Sequence, residues 1–188
     1  MSESSNAPAG AAIALALGIA AMVGLLPRER TIRVAIGDDP TQITGWRPEH
    51  RAAIAGVLPH LARTGDRWEL SDEAHADVIV RPFASERCDH AGEYDGVRTV
   101  RLDYACFHGV ERLAYGAVHE LLHYRAGAGW RFHLCPAGEQ AADCHPTVRG
   151  AGVLSRALPW EIDGDAYAPP PSPAPTDDDL RLLRATAR

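Results

Sequence analysis

The stretch that decides the fold runs Val110-Glu111-Arg112-Leu113-Ala114-Tyr115-Gly116-Ala117-Val118-His119-Glu120-Leu121-Leu122-His123. Its apolar residues Val110, Leu113, Ala114, Ala117, Val118, Leu121 and Leu122 recur at intervals of three and four, which predicts a helix with one buried stripe. Gly127 and Gly129 follow and predict its end. Within this helix His119-Glu120-Leu121-Leu122-His123 is an HExxH motif. Positions i and i+4 share one helix face, so the two imidazoles reach a common point, flanking or opposite the apolar stripe, with the glutamate beside them. Two histidines so placed are zinc ligands of a site that keeps one position for water, and Glu120 is then the general base, and later the acid for a leaving amine.

A catalytic zinc takes three protein ligands, so a third is expected after the turn. His133 is the first choice and His145 its rival; Glu139 or Glu161 would complete a His-His-Glu set instead. Trp130, Tyr124 and Phe132 crowd the same region, as core or as the wall of an apolar pocket.

Outward from the motif the chain alternates strand and helix patterns. Thr31 to Gly37 alternates with period two and stops at Gly37-Asp38-Asp39-Pro40. A helix follows near Pro48, interrupted or ended by Pro59. Ala76 to Pro82 reads as a short apolar strand closed by its proline, and Val97 to Asp103 alternates cleanly. Residues 168–175 are proline-rich and extended, while Thr176-Asp177-Asp178-Asp179 caps a final helix over 176–188.

This order of elements, together with the HExxH helix and the late acid-capped helix, resembles the metzincin zinc endopeptidases, especially the matrixins, over roughly Thr31 to the C-terminus. The resemblance implies an α+β zincin-type domain over residues 31–188: a small, mixed, twisted sheet, an active-site helix and a C-terminal helix. It also implies zinc-dependent hydrolysis of peptide bonds in a protein or peptide substrate. The family motif is HExxHxxGxxH; here Ala126 stands at the glycine position and Gly129 at the third-histidine position, so a ligand at His133 requires a longer loop. The family's methionine turn has a counterpart in Gly152-Val153-Leu154-Ser155, with Leu154 replacing methionine at similar volume. The reading from a different class is a zinc-binding or degenerate domain of the same fold that mediates interaction without turnover.

Composition bounds the alternatives. The chain has 188 residues, 46% hydrophobic and 23% charged, with a net charge of −6, so no uniformly basic surface exists for a nucleic acid partner. All 19 basic residues are arginine, which excludes lysine Schiff-base chemistry and a phosphate-loop lysine.

Residues 1–30 form a separate segment. Ala7 to Leu26 carries no charge and is just long enough to span a bilayer, as a membrane anchor or a signal segment. Met1 to Asn6 has Glu3 and no arginine, which argues against cleavage, and the arginines Arg28 and Arg30 follow the run. Cys88, Cys106, Cys135 and Cys144 contain no CxxC pair, and sequential disulfides Cys88–Cys106 and Cys135–Cys144 would staple the loops on either side of the motif helix. Disulfides place the catalytic domain outside the cytoplasm, and they outweigh one short charged flank.

Overall fold

The computed structural model describes residues 30–39, 41, 45–84, 92–105, 107, 109–127, 152–154 and 172–186. Its elements are β1 (Thr31–Ile36), α1 (Pro48–Gly56), α2 (Leu58–Leu61), a 3-10 turn (Ala62–Thr64), β2 (Arg67–Leu70), β3 (Val78–Phe83), β4 (Gly92–Tyr94), β5 (Thr99–Asp103), α3 (Val110–Ala126) and α4 (Asp177–Thr186). The five strands form one mixed sheet in the order β2-β1-β3-β5-β4. All neighbouring pairs are parallel except β4 with β5. The domain is thus α+β, as expected.

Alternation along each strand divides the sheet's two faces. Ile32, Val34, Val78, Val80, Val100 and Leu102 are all fully buried in one core with residues of α1, α2 and α3. Among the described residues the opposite face holds a small cluster of Ala35, Ala76 and Ile79. Parallel sheets are usually covered on both faces. Here arginines take the second face, Arg33 paired with Glu69, Arg81 with Glu73 and Arg101 with Glu93. Pairs near the surface such as these contribute little stability.

Three local expectations change. Pro82 does not close its strand: β3 runs on to Phe83, with Pro82 opposite Leu102 of β5. The β1 partner ends at Val80, so no ladder bond on that side requires the N–H that proline lacks. Of the two readings of Pro59 the early end holds and the kink does not: α1 stops at Gly56, and Pro59 sits in the first turn of a new helix, α2, where a missing N–H costs nothing. Finally, α3 has more than one buried stripe. Every residue from Tyr115 to His123 is buried, both histidines and the glutamate included, because the helix lies between the sheet, α1 and α4.

Candidate metal centre

α3 ends where the sequence predicts. Gly127 adopts a left-handed conformation (φ 61°), and its N–H caps the helix on the carbonyls of His123 and Tyr124. One turn earlier His119 and His123 face each other, with ring centroids 4.8 Å apart and Nε2 atoms 3.1 Å apart. His119 Nδ1 lies 2.7 Å from the carbonyl oxygen of Val153. A carbonyl only accepts, so Nδ1 carries the proton and Nε2 presents its lone pair towards His123. Burial pushes the His119 imidazole below its ordinary value, against the opposing pull of the Val153 carbonyl and of Asp179, and so favours the neutral form that binds metals.

Two ligands of a tetrahedral zinc at ~2.0–2.1 Å stand about 3.3 Å apart, close to the separation of these nitrogens. The donor set therefore fits a zinc ion through His119 and His123. Among the described residues no third histidine, cysteine or carboxylate joins them. His133, His145, Glu139 and Glu161 all lie outside the described residues, as do the four cysteines and the run 7–26.

Glu120 is 7% exposed. Burial first, then the like charge of Glu93, raises its carboxyl from the usual 4.5 to about 8. Its side chain lies against the backbone of Gly92 in β4, where an added Cβ would sit 2.9 Å from both Cγ and Oε1 of Glu120. Only a residue without a side chain lets the edge strand approach this closely. On the peptidase reading proposed below, Gly92→Ala is expected to push the Glu120 carboxyl aside, lowering kcat about 10-fold or more while zinc content stays at the wild-type level. Metal analysis beside peptide hydrolysis checks this; unchanged kcat would show that the carboxylate has room to move.

The turn 152–154 lies between two helices. On the α3 side, Tyr115 Oη–H donates to Gly152 O (3.3 Å) and His119 Nδ1–H to Val153 O. Burial pushes the Tyr115 phenol up, so it stays protonated and able to donate. On the α4 side, the backbone N–H groups of Val153 and Leu154 donate to Asp179. Leu154 is fully buried in the same core as Val118, Leu121 and Leu122 of α3.

The sequence singles out His119, Glu120 and His123, which the structure buries on one helix, and gives no signal for Gly92, Tyr115 and Asp179 as their neighbours. Asp179 registered only as one of three capping acids, and Gly92 lies in a stretch with no periodic signal. No protein-family model matches the chain, and no curated protein matches it either.

Proposed function

We propose that the chain is a zinc-dependent metalloendopeptidase. The observation that carries the reading is the convergence of the His119 and His123 Nε2 atoms at 3.1 Å, with Glu120, next in sequence to His119, buried on the same helix. His119 and His123 would hold the zinc with a third ligand from the segment after Gly127, His133 first among the candidates. When bound, zinc acidifies water and polarises a carbonyl. Glu120 takes a proton from the attacking water as its oxygen bonds to the scissile carbonyl carbon. The same carboxyl returns a proton to the amine nitrogen as the C–N bond breaks.

β4 supplies a place for an extended substrate. It pairs with β5 on one side, its other edge carries no strand among the described residues, and Gly92 lies against Glu120. A peptide added to that edge would pass beside the carboxylate, held by backbone hydrogen bonds. The uncharged run 7–26 is read as a membrane anchor or export signal, with the catalytic domain outside the cytoplasm. Among the described residues no helix is long and apolar enough to cross a membrane.

The test is metal content of the full chain together with peptide hydrolysis, before and after a chelator. The expected result is one zinc per chain, hydrolysis lost on chelation and recovered when zinc is returned. Zinc without hydrolysis would favour an interaction domain, and no zinc at all would overturn the reading.

A further inference from the structure

Asp179 is 0% exposed. Its Oδ2 accepts from Val153 N–H (3.0 Å), Thr176 N–H (2.6 Å) and Thr176 Oγ1–H (2.8 Å), and its Oδ1 from Leu154 N–H (2.8 Å). The Thr176 bonds, with Asp179 N–H returning to Thr176 Oγ1 at 3.3 Å, form a capping box at the start of α4. A cap needs no more than that. The other two bonds reach a turn 25 and 26 residues earlier in the chain.

Gly152 shows how close that approach is. It has φ 106°, and an added Cβ would lie 2.5 Å from Thr176 Oγ1 and 2.6 Å from Asp179 Oδ1. Val153 then serves both sides, its N–H bound to Asp179 and its carbonyl to His119 Nδ1. The path from the C-terminal helix to the Nε2 lone pair thus runs through one residue.

We infer that Asp179 is a positioning residue of the metal centre: it clamps the 152–154 turn so that the Val153 carbonyl fixes the tautomer and ring plane of His119, which couples zinc affinity to docking of the C-terminal helix. This rests on the zinc reading proposed above. The four groups among the described residues that bond to the carboxylate are all donors and engage both of its oxygens. Asparagine keeps the size but offers one oxygen, and its amide N–H groups meet other N–H groups. Coupling is also reciprocal: if the docked helix strengthens zinc binding, zinc must stabilise the docked helix.

The experiment uses the full chain, with zinc affinity measured by competition against a chelator. Asp179→Asn is expected to weaken zinc about 10–100-fold, the usual effect of losing an outer partner of a ligand histidine. The ¹⁵N signals of His119 in the zinc-free variant should shift from the single Nδ1–H form towards a tautomer mixture. Val34→Ala, in the buried core of β1, is the control, expected to lower the melting temperature while leaving affinity and the His119 signals unchanged. Should Asp179→Asn fail to fold, amide exchange in the wild-type chain decides, since zinc should slow exchange at Val153, Leu154 and across Asp177–Thr186. Wild-type zinc affinity in Asp179→Asn overturns the inference alone, as does exchange in α4 that ignores zinc. A wild-type chain that binds no zinc overturns the proposed function and this inference with it.

Discussion

Glu120→Gln is expected to leave zinc stoichiometry unchanged and to lower kcat/KM by about 10²–10⁴-fold, the usual contribution of a general acid and base. In the proposed mechanism the glutamate sits next to a ligand in sequence but serves as proton carrier, so metal and activity should separate in this variant. A variant that loses its zinc together with its activity would make Glu120 a ligand. The same substitution has a second expected effect, on stability, and its sign follows from the raised carboxyl. In the folded, metal-free chain Glu120 ionises only near pH 8, against about 4.5 ordinarily. Stability is therefore lost as pH climbs from about 4.5 towards 8, at up to ~1.4 kcal/mol per pH unit, because the unfolded chain gives up the proton first. Glutamine has no proton to lose. With chelator present, Glu120→Gln should melt at about the wild-type temperature near pH 4 and well above it at pH 8. Zinc should narrow the gap at pH 8, since a cation beside the carboxylate compensates its burial. Equal melting of both proteins at pH 8 without metal would mean that Glu120 ionises there without cost.

What the sequence made legible depended on how local each signal is. β1, the HExxH helix with its Gly127 end and the capped start of α4 are all written in consecutive residues, and each appears where its pattern places it. β2 and β4 are four and three residues long, too short for alternation to register. They form the two edges of the sheet, so their existence depends on neighbours distant in sequence. The full burial of α3 escapes the sequence pattern for a related reason. Small residues such as Gly116 and Ala117, and the polar trio His119, Glu120 and His123, hide a helix that is covered nearly all round. Gly116 is buried because Phe107 fills the space where its Cβ would stand, a contact that no periodicity encodes. Asp179 is the clearest case. Its composition signal is that of a helix cap, while its clamp on the 152–154 turn exists only once α4 has packed against that turn.

His133→Ala is expected to weaken zinc binding by more than the ~10–100-fold that loss of an outer-shell partner costs, because it would remove one of three direct bonds to the ion. His145→Ala should leave affinity near the wild-type value. The two nitrogens that α3 supplies, 3.1 Å apart, would leave a catalytic zinc one protein ligand short among the described residues. The left-handed turn at Gly127 ends the helix four residues past His123. His133 is the first histidine after that turn, and the shorter the loop that returns a ligand, the less closure entropy its ordering costs. Competition against a chelator measures the affinities, and cobalt substitution gives an independent readout. A cobalt spectrum that changes in His133→Ala and not in His145→Ala reports a lost ligand directly, whether or not the variant still turns over substrate. The reverse pattern would move the ligand to His145. Tolerance of both substitutions would transfer the role to Glu139 or Glu161 and turn the donor set from three imidazoles into two imidazoles and a carboxylate.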